Sequence, residues 1–206
     1  ELELNYQDIS KNFAGFGAAA DAGYEAAQIQ QLQKERGLKR FGFGLKQADL
    51  GGVKLSGNFR TVEDNGEDIS WQSLGINSGA LALNWKSQKV GDSFRRFQDL
   101  AEADREQLRK EIGMERETLA GSFAQKAGKL SFSMNQITDP NSAKIDRREL
   151  NFDSDKFKFS YGDQEVEQGF ARIGSLKGDE QALWGREVGM SRQWFGLQTS
   201  LFGSSH

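Results

Sequence analysis

One charged motif, made of a Glu, a Gly and an Arg, recurs along this sequence at equal intervals of about 76 residues, and a fixed period is the signature of an internal repeat. The three sets are Glu35, Gly37 and Arg40; Glu111, Gly113 and Arg116; and Glu187, Gly189 and Arg192. A carboxylate and a guanidinium this close along the chain can form an ion pair, or a ladder of charges across the copies. We favour a structural role, in which each Arg interacts with a helix end or a neighbouring carboxylate. An active site is seldom present three times in one chain.

Other residue combinations that carry chemistry are weak. There is no Cys and a single His, His206, which excludes cysteine nucleophiles, zinc sites built from Cys or His, and histidine-based triads. Acidic residues that could offer oxygen ligands to Ca²⁺ cluster in two predicted turns: Asp64, Glu67 and Asp68, and Asp153 with Asp155. Their spacing does not match the EF-hand loop, so we interpret them as solvated acids. The sequence predicts no catalytic residue, no cofactor and no metal.

The repeat extends beyond the charged motif. Three alternating segments end in an aromatic residue, at Tyr6, Trp85 and Tyr161. From this aromatic to the next motif glycine the chain advances about 31 residues in the first copy and about 28 in the other two, and the difference is close to one helical turn. The distance from each glycine to the next aromatic is the same in both cases, Gly37 to Trp85 and Gly113 to Tyr161. We predict repeat copies at about 1–79 and 80–155, with a partial copy at 156–202.

The elements follow from two periodicities. Between aromatic and glycine, apolar residues fall near a 3.6-residue period, and the glycine is then expected to cap the helix C-terminus. These residues in the second copy are Phe94, Phe97, Leu100, Leu108 and Ile112. The remainder alternates with a period of two, with turn-forming residues between segments. Four strands and a helical insertion per unit predict a mainly β antiparallel meander of about ten strands, in a single domain at 1–202. The sequence leaves open whether it closes into a barrel.

Composition limits the partners. The chain has 27 basic and 30 acidic residues without a long block of either sign, so we do not expect nucleic acid. No apolar run is long enough for a transmembrane helix. The absence of Met at residue 1, and a Gly-Ser-Ser-His end at 203–206, predict a processed chain with a tag remnant.

The long alternating strands, with aromatic residues near their ends, resemble outer-membrane β-barrels. This resemblance implies a non-enzymatic structural protein of a bacterial cell envelope, forming a wall, pore or scaffold. Its expected partners are the lipid bilayer or further copies of the repeat. Lys54, Lys86 and Lys158 would then have to point away from lipid, where each would cost about 2–4 kcal/mol at the midplane.

Two alternatives remain open at the sequence level. The 28% charged content favours a soluble meander whose apolar face is covered by its own helices and which binds a protein or polymer along its sheet. A carboxylate-based glycosidase is the third hypothesis, and it requires a concave cluster of unpaired carboxylates.

Overall fold

The chain folds into one antiparallel sheet of ten strands, as seen in a computed structural model. The structure describes residues 1–199; residues 200–202 of the predicted partial copy and the predicted tag remnant at 203–206 lie outside the described residues. The strands are β1 (Leu2–Asp8), β2 (Lys39–Leu50), β3 (Val53–Asp64), β4 (Glu67–Asn77), β5 (Leu81–Val90), β6 (Glu115–Gln125), β7 (Gly128–Thr138), β8 (Lys144–Asp153), β9 (Phe157–Val166) and β10 (Met190–Thr199). Each strand pairs with its neighbours in chain order, which confirms the predicted meander. The sheet is open within residues 1–199, and β1 and β10 form its edges.

Helical insertions follow β1, β5 and β9, so they recur every four strands. We call them insertion 1 (residues 9–38), insertion 2 (residues 91–114) and insertion 3 (residues 167–189). Their helices are α1 (Phe16–Asp21), α2 (Ala26–Lys34), α3 (Arg105–Lys110) and α4 (Gly178–Trp184). Because an even number of antiparallel strands separates them, all three insertions leave the sheet at the same end.

The helices are shorter than the apolar spacing predicts. In insertion 2, Phe94 and Leu100 lie in irregular backbone, Phe97 lies in a 3₁₀ turn, and only Leu108 lies in an α-helix. All four side chains are nevertheless at most 1% exposed. The spacing therefore indicates which residues are buried and does not indicate a continuous helix. In insertion 3, Asp179 lies in the first turn of α4, whose N-cap is Lys177.

Two apolar cores lie between the insertions and the half of the sheet nearest to them. One core joins Leu38 and residues of β3 to β5 with insertion 2, and the other joins residues of β7 to β9 with insertion 3. The buried strand residues are Val62, Ile69 and Val90 in the first core and Ile137, Ile145 and Val166 in the second. Each of these two insertions therefore covers the four-strand unit that precedes it.

The strands are staggered by a constant amount. From Phe43 in β2, the ladder of paired residues runs across β3, β4 and β5 to Glu117 in β6. The residue that repeats Phe43 is Leu119, and the ladder from Leu119 likewise reaches Gln193 instead of Phe195. The ladder thus slips by about two residues for every four strands. Equivalent residues of successive units therefore lie along a line that is not quite perpendicular to the strands, and the strands are tilted by roughly 20° from the perpendicular to this line.

The strand register also changes one alignment made from the sequence. Trp85 and Tyr161 occupy equivalent positions in β5 and β9, but in β1 this position belongs to Leu4, not to Tyr6. Tyr6 lies nearer to insertion 1 than this equivalent position does. Counted from this equivalent position to the motif glycine, the segment through insertion 1 is therefore longer than the other two by about five residues instead of three. Insertion 1 holds two helices separated by Gly23.

Candidate functional site

Arg40 in β2 lies at the centre of a buried charged network. Its guanidinium donates to both oxygens of Glu35 at 2.7 and 3.0 Å and to both oxygens of Glu102, in insertion 2, at 2.7 and 3.2 Å. Gln7 and Gln31 donate to Glu35 at 2.9 and 2.7 Å. The side chains of Glu35 and Glu102 are only 4% and 6% exposed, so the network is almost closed to solvent.

The second network repeats the first. Arg116 in β6 donates to Glu111 at 2.6 and 3.0 Å and to both oxygens of Glu180, in insertion 3, at 2.7 and 2.8 Å. Gln88 and Gln107 donate to Glu111 at 2.8 and 2.6 Å. In both networks one carboxylate comes from the turn before the strand and the other from the following insertion.

The third network is incomplete. Arg192 in β10 lies 3.1 Å from Glu187, and Gln164 donates to the same carboxylate. Within the described residues no insertion follows β10, and Arg192 has no second carboxylate there. Its side chain is 49% exposed, compared with 18% for Arg40 and 13% for Arg116.

Ion pairing stabilises the charged forms of Arg40, Glu102 and Arg116. Burial by itself opposes the charge of Arg40, but its hydrogen bonds to Glu102 and Glu35 outweigh this effect and raise the pKa of Arg40. Burial would likewise raise the pKa of Glu102, and the bonds from Arg40 outweigh it and hold that pKa below its usual value. The pKa of Arg116 is raised in the same way by Glu180 and Glu111. These groups stay charged and mutually bound, an arrangement suited to holding insertions in place.

The motif glycines make the turn between insertion and strand possible. Their φ angles are positive, a region that glycine adopts without steric cost: +82° at Gly37, +74° at Gly113 and +77° at Gly189. Each donates its N–H, at 2.6 to 2.9 Å, to the residue that follows β1 or ends β5 or β9: Ile9, Val90 and Val166. Gly37 and Gly113 lie beyond the helix C-caps Glu35 and Glu111, further along the chain than the predicted capping position.

The acidic turns form no metal site in the part of the chain that the structure describes. No group of three or more His, Cys, Asp or Glu side chains among residues 1–199 is arranged to hold a metal ion. In the β8–β9 turn, Asp153 pairs with Lys158 at 2.9 Å. In the other cluster, Glu67 accepts a hydrogen bond from the backbone N–H of Ser93.

An apolar belt crosses the face of the sheet opposite the insertions. Because alternate residues of a strand point to opposite faces, the sequence neighbours of the insertion-facing residues point away from the insertions. In the half of the sheet far from the insertions these outward residues are mostly apolar, and the following are 36–68% exposed: Leu2, Leu4, Tyr6, Phe41, Phe43, Leu50, Leu74, Leu81, Phe123, Leu130, Phe157, Tyr161, Phe195 and Leu197. Partly exposed residues fill the same rows: Leu45, Leu55, Phe59, Ile76, Leu83, Trp85, Leu119, Phe132, Met134, Leu150, Phe152 and Phe159. These two sets together are the apolar belt.

The belt ends abruptly toward the insertions. Outward residues at that end of the strands are mostly charged: Asp8, Lys39, Glu63, Asp68, Lys89, Glu115, Glu117, Asp146, Arg148, Asp163 and Glu165. In most strands the belt is three outward residues tall, which is roughly 14 Å between the outer Cα atoms. The belt is therefore long across the strands and short along them.

The opposite face of the same half of the sheet is polar. Lys54, Lys86 and Lys158 lie on the alternate positions that point to this face, away from the belt. A shallow groove of about 560 Å³ on the sheet is lined by Lys54, Ser56, Asn77, Asn84, Ser122 and neighbouring residues. No carboxylate lines this groove, so it lacks the pair of acids that glycoside hydrolysis requires.

Sequence reasoning missed several partners of the charged motif. Gln31 and Gln107 are one repeat period apart, as are Gln88 and Gln164, so the repeat spacing itself could have revealed them. Glu102 and Glu180 are slightly more than one period apart, and this break in spacing hides their equivalence until the structure shows it.

Comparisons of the chain with models of protein families, with curated proteins and with solved structures give no match. No helix within residues 1–199 combines the length and the hydropathy needed to cross a membrane.

Proposed function

We propose that this protein is a non-enzymatic wall segment of a bacterial cell envelope, whose apolar belt lies against lipid. The observation that carries the proposal is the continuity of the belt across all ten strands. With strands roughly 4.8 Å apart, it extends about 45 Å across the sheet. At roughly 14 Å tall, it covers about 600 Å², at the upper end of the apolar patches that soluble monomers expose.

The stagger of the strands supports contact with a flat layer. The ladder slips by the same number of residues in each unit. Equivalent apolar residues of successive units therefore lie at the same height. The insertions also keep one height, since all of them leave the same end of the sheet. A belt that stays level over successive units matches the planar boundary of a lipid layer.

The charges are distributed as lipid contact requires. Lys54, Lys86 and Lys158 point to the polar face, so none of them carries the penalty of about 2–4 kcal/mol for a basic residue at the bilayer midplane. The charged outward residues lie beyond the belt, toward the insertions, where they remain in water.

Partition into liposomes tests the proposal with two matched variants. Leu130 points outward in the belt, and its neighbour Ser131 points to the polar face of the same strand. We expect the protein to float with phosphatidylethanolamine and phosphatidylglycerol vesicles, Leu130→Lys to lower partition at least tenfold, and Ser131→Lys to leave it nearly unchanged. Far-ultraviolet circular dichroism of each variant controls for folding. Failure of the unsubstituted protein to float, or equal losses in both folded variants, would overturn the proposal.

The height of the belt favours a second candidate. The belt is roughly 14 Å tall between its outer Cα atoms, which is less than the apolar band of about 25 Å on outer-membrane barrels. Packing against another apolar sheet, face to face at about 10 Å, does not require a band of that height. In this case the belt would bind a protein or polymer partner, or a second copy. Light scattering in lipid-free buffer separates the two: a dimer that Leu130→Lys dissociates and Ser131→Lys preserves supports sheet-to-sheet packing.

A further inference from the structure

We infer that the face of the molecule at β10 is a docking surface for a further unit of the same repeat. This inference does not depend on lipid contact, because it concerns the edge of the sheet and insertion 3 instead of the belt. It is drawn from an interface that the molecule already contains twice.

The first example joins insertion 2 to insertion 1. Arg96 donates to the backbone carbonyls of Lys34 and Arg36 at the C-terminal end of α2, both at 2.6 Å. In the other direction, Gln31 of α2 donates to the carbonyl of Asp99 at 2.8 Å. The Arg40–Glu102 pair joins the same two units.

The second example joins insertion 3 to insertion 2 with equivalent residues. Arg172 donates to the carbonyls of Lys110 and Ile112 at 2.7 and 3.3 Å, and Gln107 donates to the carbonyl of Ser175 at 2.8 Å. The Arg116–Glu180 pair completes the contact. Insertions 2 and 3 thus each supply an Arg and a Glu to the unit before them.

At β10 the receiving half of this interface is present without a donor from residues 1–199. The carbonyls of Arg186 and Val188 repeat those of Lys110 and Ile112, and no described arginine donates to them. Among residues 1–199, Glu187 is the one carboxylate that pairs with Arg192. A chain segment carrying one Arg and one Glu would satisfy all of these groups together.

Exposure of the apolar positions points the same way. Leu38 and Met114 hold equivalent positions before β2 and β6 and are 0% and 1% exposed. Met190, which repeats them before the body of β10, is 56% exposed. The free edge of β10 also offers backbone groups to another antiparallel strand, as the edges of β2 and β6 do to β3 and β7.

The occupant is a repeat unit and not the N-terminal face of a second copy. In the two examples four strands separate successive insertions, but a second copy joined through its β1 would place insertion 1 only two strands from insertion 3. The strand register also aligns Gly15 with Arg96, so insertion 1 lacks the arginine. The surface fits three strands followed by an insertion with its Arg and Glu, as in residues 124–199.

A lengthened chain tests this inference. Residues 124–199 are added a second time after Thr199, which places a second copy of Glu180 where it can reach Arg192. The control carries the same segment before residue 1, where no receiving half exists. We expect the first chain to unfold in one cooperative transition with its β10 amides protected from hydrogen exchange, and the control to retain exchanging β10 amides.

Substitution of Arg192 then isolates the contact. Arg192→Met is expected to raise the unfolding equilibrium constant at least tenfold in the lengthened chain and at most about fivefold in the original chain. The matching Glu180→Gln change in the added copy should have no further effect once Arg192 is replaced. Equal behaviour of the two fusions, including a lengthened chain whose β10 amides stay unprotected, would overturn the inference.

Discussion

Glu35, Glu111 and Glu187 follow the same local sequence pattern, yet their side chains are 4%, 1% and 20% exposed. The difference comes from residues far away in the chain, because the next insertion covers the first two and brings a second carboxylate. A guanidinium bound by two carboxylates offsets the cost of burying these charges. The contribution of the motif glutamate to stability therefore depends on whether another insertion follows it.

Replacing the network arginines should show this dependence. Arg116→Met leaves the buried Glu111 and the partly exposed Glu180 without their guanidinium, so we expect the free energy of unfolding to fall by about 3–5 kcal/mol. Arg192→Met removes a half-exposed partner, and we expect a loss within about 1 kcal/mol. Denaturant titration of both variants measures the difference, and equal losses would contradict the structural role assigned to the second carboxylate.

Glu102 should make stability depend on pH. Its pKa is lower in the folded chain than the usual 4.5, so the unfolded chain binds the proton first as pH falls. Its contribution is complete above pH 4.5 and is lost as pH falls through the lower, folded pKa. We expect urea titrations from pH 7 to pH 3 to show this loss, and Glu102→Gln to be less stable at pH 7 but flatter below pH 4.5.

A control for this pH effect lies on the same insertion. The Glu106 side chain is 54% exposed, pairs with Arg109 at the surface and accepts a hydrogen bond from Gln98. Glu106→Gln should therefore leave the pH profile close to that of the unsubstituted protein. A Glu102→Gln profile as steep as that of Glu106→Gln would mean that other carboxylates cause the acid loss.

At the scale of the element, the turn from insertion to strand combines a special backbone with close packing. Gly113 and Gly79 have nearly the same φ, +74° and +77°, but only Gly113 is crowded. A methyl group at Gly113 would meet Asp92 and Pro140, whereas nothing lies within 4 Å at Gly79. The pair therefore separates backbone strain from steric conflict.

Alanine at these two positions should give different losses. Gly79→Ala carries only the cost of a left-handed backbone, about 1–2 kcal/mol. Gly113→Ala must in addition displace insertion 2 from the β7–β8 turn, so we expect it to lose at least about 1 kcal/mol more. Thermal or denaturant unfolding measures both, and similar losses would show that the turn relaxes without affecting the insertion.

The sequence predicts the number and order of the strands, but not the length of the helices or the register of the first strand. Period-two alternation and constant spacing predicted ten strands in meander order, because each strand carries its own local pattern. Helix length was not predictable, since Phe94 and Phe97 reach the core from irregular backbone and mimic a helical period. The register was hidden as well: Tyr6 carries the same aromatic signal as Trp85, but backbone pairing assigns the equivalent position to Leu4.

For the whole molecule, the two halves of the sheet have opposite apolar faces. In β3, Val62 points toward the insertions, while Leu55 and Phe59 point away from them. In β3 to β5 and β7 to β9, the half near the insertions is covered by the protein's own insertions. The half far from the insertions, which carries the belt, has no cover within residues 1–199. The apolar surroundings that it requires lie outside the described residues.

The stagger predicts how the molecule should lie in lipid. If the belt is level with the bilayer plane, the strands stand roughly 20° from the membrane normal. Polarised infrared spectra of the amide I band from oriented bilayers report this angle. We expect a strand tilt near this value for the unsubstituted protein and for Ser131→Lys, and loss of orientation for Leu130→Lys. A tilt near 90° would mean that the sheet rests flat on the lipid surface, in which case the belt contacts lipid without forming a wall.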